Sequence, residues 1–201
     1  AFQYHIKTQE ARFALTDIAV VGGTVSLDGH FTPSNWQATF RAVALNLTQF
    51  PGRWGEVFSW LPQPPPDFKY AGLLHASGHL TGHAQQVRDA TMEGHVEEFS
   101  FSDAQSRRVG EHLTAPFTLH VEHRQSHWQI QSELRFTRGQ LYVEPVFLEP
   151  PSSPITLAVD AQWFPAISQV VISSLVFEHP GVVTARGQAS FALADGLHVT
   201  A

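Results

Sequence analysis

The 201-residue sequence has no cysteine, one methionine, charge on only 15 % of its residues, and no basic excess. Without cysteine there is no disulfide framework and no thiolate metal site, and compartment is left open. Eighteen acidic against twelve basic side chains give a formal charge of −6 with histidines neutral. That removes the electrostatic footprint of a nucleic-acid partner. No uncharged apolar run of roughly 18 residues and no signal-peptide pattern occurs, so any export signal or anchor is expected outside these residues. G-x-S-x-G, H-E-x-x-H, Walker and G-x-G-x-x-G motifs are all missing. A non-enzyme with no catalytic residues and no cofactor is the expectation.

What is there favours strands and turns: 15 Phe, 14 Gly, 13 Pro and aromatics at 11 %. In ITLAVDAQW, Ile155, Leu157, Val159, Ala161 and Trp163 alternate with Thr156, Ala158, Asp160 and Gln162. VTARGQASFAL repeats the alternation through Val183, Ala185, Gly187, Ala189, Phe191 and Leu193, and WQIQSELRF through Trp128, Ile130, Ser132, Leu134 and Phe136. Each strand has a single apolar face, as in antiparallel sheets with one solvated side.

The histidines raise the question of a metal. LLHASGHLTGH places His75, His79 and His83 four residues apart, a spacing that on a helix would stack three imidazoles. Gly78 and Gly82 would then sit inside the helix, each costing about 1 kcal/mol. Read with period two, Leu74, Ala76, Gly78, Leu80 and Gly82 share one side and the histidines the other. On that strand successive histidines lie roughly 13 Å apart, beyond the reach of one ion. No metal is expected, because a site here would need partners from another strand. His120, His123 and His127 with Glu122 form the next dense group, and a turn at Gln125-Ser126 is expected to let His123 and His127 face each other. Two ligands without a clear carboxylate fall short of a site. The adjacent Glu97 and Glu98 would point to opposite faces, wrong for a paired acid and base. Trp36, Trp128 and Trp163 lie in phase with apolar neighbours and read as sheet-face packing.

Turn residues punctuate these runs at Gly22-Gly23, Asp28-Gly29, Pro33-Ser34-Asn35, Arg138-Gly139, Pro180-Gly181 and Asp195-Gly196, which predicts a meander. FTPSNWQATFRA and HRQSHWQIQSELRF echo one another, a faint sign of repeated hairpins. In FPGRWGEVFSWLPQPPPDF, Trp54, Val57, Phe58 and Leu61 have helical spacing, so a short amphipathic helix is expected between Pro51 and Pro62. The organisation read from this is an N-terminal β region (1–61) ending in that helix, a Pro-rich connector (62–67), and a C-terminal β-meander (68–201) continuous with the first.

The phrases GGTVSLDGHF, LLHASGHLTGH, RFTRGQLYVEPVFLEPPSSPITLAVDAQW and PGVVTARGQASF resemble the texture of the AsmA-like envelope protein family, TamB and YdbH among them. The likeness is to the YdbH-type region, also labelled a dicarboxylate-transport domain, over residues 20–193. It implies a segment of a longer Gram-negative protein, anchored in the inner membrane and exposed to the periplasm, whose curled sheet carries phospholipid between membranes in an apolar groove. The implied partners are phospholipid or another acyl-chain ligand and, beyond it, envelope proteins, with membrane contact made by segments outside this chain. The inferred lining is Trp128, Ile130, Leu134, Phe136, Ile155, Leu157, Val159, Trp163, Val183 and Phe191. The fold expected is all-β, an elongated, curled antiparallel sheet with one short helix. A closed β-sandwich acting as a protein-protein interaction module of an envelope or secreted protein is the alternative, and a metal enzyme using the histidines stands third.

Overall fold

A computed structural model describes residues 2–5, 10–20, 22–49, 68–84, 86–150 and 153–192, and among these thirteen strands form one antiparallel sheet. The expected helix and the connector at 62–67 lie outside the described residues, which hold only the 3-10 turns Leu47–Gln49 and Pro165–Ile167. The strands are β1 (Phe2–His5), β2 (Glu10–Val20), β3 (Gly23–Phe31), β4 (Asn35–Asn46), β5 (Lys69–His83), β6 (Gln86–Ser102) and β7 (Arg108–Arg124). They continue with β8 (His127–Phe136), β9 (Arg138–Val143), β10 (Val146–Leu148), β11 (Ile155–Phe164), β12 (Gln169–His179) and β13 (Val183–Ala192). Each of β1 to β8 pairs with its sequence neighbour, and β11, β12 and β13 follow β8. β4 pairs with β5, so the regions on either side of residue 60 belong to one sheet.

The meander makes one detour, and strand length explains it. β7 has 17 residues and β8 only 10. β8 covers the second half of β7, from Phe117 to Arg124, and the hairpin of β9 and β10 covers the first, with Arg108 opposite Val143 and Thr114 opposite Arg138. Without that hairpin the first half of β7 would present an unpaired edge.

Alternation sorts the side chains into two faces, and the register aligns them into rows. Ile18, Val25, Ala42, Ala76, Gly94, Phe117, Leu134, Leu157, Phe177 and Ala185 are successive cross-strand partners from β2 to β13. Leu80, Ala90, Val121, Ile130, Ala161 and Ile172 form a parallel row, and Thr39, His79, Thr91, His120, Gln131, Asp160 and Ser174 one on the reverse face.

Bulges keep the apolar rows in phase where strict alternation would lose them. Register shifts fall between Leu15 and Ile18, Ala42 and Leu45, Val96 and Phe99, and Ile172 and Leu175, each three residues apart with apolar residues at both ends. The inserted residues include Asp17, Ala44 and Glu98, all with φ near +50°. One extra residue per bulge returns the next hydrophobic to its face and bends the strand. Gathered across the sheet, such bends curl it.

Five aromatic rings on the apolar face lie over glycines directly opposite on the next strand: Phe13 on Gly29, Trp36 on Gly82, Phe40 on Gly78, Phe117 on Gly94 and Phe101 on Gly110. A Cβ on Gly78 would come within 2.5 Å of both the Phe40 ring and the Thr91 carbonyl. Asp28-Gly29 was expected to be a turn and is instead the middle of β3, because Gly29 makes room for Phe13.

The sheet does not close, since β1 and β13 are not paired with each other. All thirteen strands belong to one sheet rather than to two packed on each other, so a closed sandwich is not the architecture. Among the described residues only seven hydrophobics are buried, three of them the larger Leu45, Leu113 and Ile155 and the other four alanines. The chain's accessible surface is 13170 Å², against about 9,400 Å² for a compact monomer of its 22.3 kDa mass.

Candidate functional site

The apolar face is the largest feature the described residues leave without a second layer. Its rows cross ten strands, about 43 Å at 4.8 Å per strand. Along β5 it runs from Leu74 to Gly82, about 27 Å. Monomeric soluble proteins seldom expose a contiguous apolar patch beyond a few hundred Å², and the product of those spans gives this band a footprint of roughly 1,200 Å². Most side chains along it are half-buried, the seven buried hydrophobics lie on it, and Leu15, Ile18, Phe31 and Trp163 are exposed outright. Such a face can hold long hydrocarbon by dispersion and desolvation, with no directional polar contact required.

All ten residues expected to line a groove fall on this face. Trp128 is opposite Trp163, Leu134 opposite Leu157, and Phe136 opposite Ile155, with Ile130 and Val159 in phase. Phe191 joins the Trp163 row through Val170, and Val183, opposite His179, ends the Ile155 row. Of the β2 to β7 part of the same face only the β5 run from Leu74 to Gly82 was foreseen residue by residue; Leu27, Phe40, Met92 and Leu119 extend the row that holds Val159. Two bulges in this part, after Leu15 and after Ala42, break the period-two signal that would have announced it.

The tryptophans pack on the sheet face. Trp36 covers Gly82 and stacks on Phe31 at 6.2 Å, and Trp128 lies 4.7 Å from the His123 ring.

The reverse face is polar and hollowed. A cleft of about 830 Å³ lies against His79, Glu93, His120, Gln131, Glu133 and Asp160. Its polar groups engage one another. His120 Nε2 is 2.7 Å from Asp89 Oδ2, Asp160 accepts from the amides of Gln129 and Gln131, and Arg135 pairs with Glu133. A smaller hollow of about 430 Å³ is lined by Arg12, Asp28, His30 and Gln37.

His75, His79 and His83 point to this polar face, spaced along β5 as the strand reading requires. His123 and His127 do not face each other. The two-residue turn pairs Arg124 with His127 and His123 with Trp128, which puts the two imidazoles on opposite faces, and His127 stacks on Phe164 at 5.1 Å. Glu97 stays beside His95, whereas Glu98, expected to alternate to the opposite face, is the inserted residue of the bulge between Val96 and Phe99 and turns onto His112, 2.5 Å from its Nδ1. His75 has a neighbour invisible to the linear sequence. Its direct partner on β6 is His95, and Glu97 lies beside both.

An open, curled, all-β antiparallel sheet with one apolar and one polar face is the class of protein this fold defines. Comparisons with protein-family models, with curated proteins and with solved structures gave no match. No described helix is long and apolar enough to cross a membrane, a statement that leaves strand-borne crossing untouched.

Proposed function

We propose that this chain is a non-enzymatic lipid-handling module that binds acyl chains along its apolar face as part of phospholipid transport between membranes. The observation that carries the reading is the ten-strand apolar band with no second layer among the described residues. A sheet with one apolar face must bury it against another element or a ligand. Hydrocarbon matches a face that is wide, apolar and poor in hydrogen-bonding groups. The AsmA-like texture of the sequence adds the setting: a periplasmic portion of an inner-membrane-anchored protein of a Gram-negative envelope. In that setting the polar face meets solvent and the apolar face passes lipid along its rows.

The test is native purification without detergent, followed by denaturing extraction and lipid mass spectrometry. Phospholipid recovered in defined ratio to protein supports the reading. Protein that is free of lipid and instead brings down one specific protein partner through the same face assigns it to a protein-protein interaction module.

A further inference from the structure

We infer that His75, His95 and Glu97 form a binding site for a divalent transition ion, zinc being the reference case, on the polar face of the sheet. His75 on β5 and His95 on β6 are direct cross-strand partners. Their rings are parallel within 2° with centroids 4.7 Å apart. Glu97, two residues beyond His95 and on the same face, places one carboxylate oxygen 3.0 Å from His95 Nε2 and the other 3.9 Å from His75 Nε2. One ligand atom from each of the three residues lies within 4.8 Å of the other two. Two imidazoles and a carboxylate are a donor set that zinc, cobalt, nickel and copper accept, and a three-ligand site leaves a position for water.

Two further observations point to a ligand. The Nε2 of His75 is a buried atom with no hydrogen-bond partner, while the His75 side chain as a whole is 25 % exposed. A ring nitrogen held out of water beside a carboxylate it does not contact within hydrogen-bond distance is left unpaired, and in the tautomer protonated at Nδ1 it offers its lone pair to an ion. The second is the backbone beyond Glu97. The bulge at Glu98, with φ of +50°, keeps Phe99 on the apolar face while Glu97 stays over the histidine pair. Bulges are over-represented where a strand must re-aim a side chain beside a site.

Binding needs the two rings to leave their stack. Two nitrogens at about 2.1 Å from one tetrahedral ion sit roughly 3.4 Å apart with their in-plane lone pairs converging on it, so the two rings must each rotate by some tens of degrees out of their parallel arrangement. Both side chains are partly solvated on an open face, and rotation about their side-chain torsions supplies this without moving the strands. The ion takes the Nε2 lone pair of each neutral imidazole. Any proton that His95 Nε2 shares with Glu97 leaves to solvent as the ion enters.

Isothermal titration of the folded, tag-free chain with zinc chloride at pH 7.5 tests the inference, with cobalt chloride and its visible absorption as a second probe. One zinc per chain is expected, with affinity falling at least tenfold in both His95→Ala and Glu97→Gln and unchanged in His79→Ala. His79 lies on the same strand and face but outside the cluster. Cobalt should give the intense visible bands of a four-coordinate site in the parent and lose them in His95→Ala. Circular dichroism of each variant confirms that the sheet is retained, and Glu97→Gln preserves shape where His95→Ala removes a ring. The inference is overturned if zinc does not bind saturably at sub-millimolar concentration, or if His79→Ala weakens it as much as His95→Ala.

Discussion

Replacing Leu157 with Arg probes the exposed apolar face at its middle. Leu157 stands between Leu134 on β8 and Phe177 on β12 and is half-buried by them. Were a second layer covering the face in solution, the guanidinium would be a buried unpaired charge, with a penalty of several kcal/mol. A domain with a total stability of 5 to 15 kcal/mol, roughly the usual range, would lose much of its fold. On an open face the arginine stem keeps part of the contact and its head reaches water. The loss is then about half of a leucine's burial, on the order of 1 kcal/mol. Leu113, only 2 % exposed, supplies the internal standard, because Leu113→Arg must bury its charge in either case and should unfold the chain. Thr156→Arg, on the polar face between Arg135 and Glu178, should stay within about 0.5 kcal/mol of the parent. Urea titrations rank the three stabilities, and extraction with mass spectrometry measures bound lipid. The expected order is Thr156→Arg close to parent, Leu157→Arg folded with reduced lipid, and Leu113→Arg unfolded. If Leu157→Arg collapses as Leu113→Arg does and the parent carries no lipid, the apolar face is covered by something other than lipid and the transport reading fails.

Gly78→Val should cost at least 2 kcal/mol or so, because its Cβ meets the Phe40 ring and a backbone carbonyl at 2.5 Å, and a drop in melting temperature reads it directly. Gly187→Ala should be neutral or stabilising by about 0.5 kcal/mol, since the nearest atom, in Leu175, is 4.0 Å from the new Cβ. Asp160→Ala should lower stability by about 1 kcal/mol, because the carboxylate gathers Gln129 and Gln131 of β8 and Ser173 of β12, and a denaturant midpoint measures it. Glu98→Ala, in contrast, should change stability by less than 1 kcal/mol, as its ion pair with His112 is largely solvated.

The face of β11 was legible because Ile155 to Trp163 alternate without interruption, and the same holds for β8 and for the part of β5 from Leu74 to Gly82. Alternation is a local property, so it survives in one dimension. Bulges are not local in that sense. Whether Asp17 or Ala44 is an inserted residue depends on what the neighbouring strand offers opposite, and the positive φ of an alanine leaves no compositional mark. Gly29 misled for a related reason: beside Asp28 it reads as a turn, and only the position of Phe13 across the ladder reveals a glycine chosen for space. The His75, His95 and Glu97 cluster required a register between β5 and β6, which no spacing along either strand encodes. The histidines that looked most regular, four residues apart, are the ones the fold keeps separate.

Because nearly every strand leans on the one before and the one after it, the described residues form no central core whose loss would end cooperativity everywhere at once. Its stability is closer to that of a ladder, a sum of nearest-neighbour terms in which position counts. Protection against amide exchange should climb from β13, whose first half is exposed from Val183 to Gln188, toward β6 and β7, the longest strands at 17 residues each. Lengthening such a ladder by a hairpin asks only that two new strands continue the rows and that a glycine stand wherever a ring must lie flat. Width, and with it the capacity for whatever lies along the rows, is then set by the number of hairpins the gene repeats.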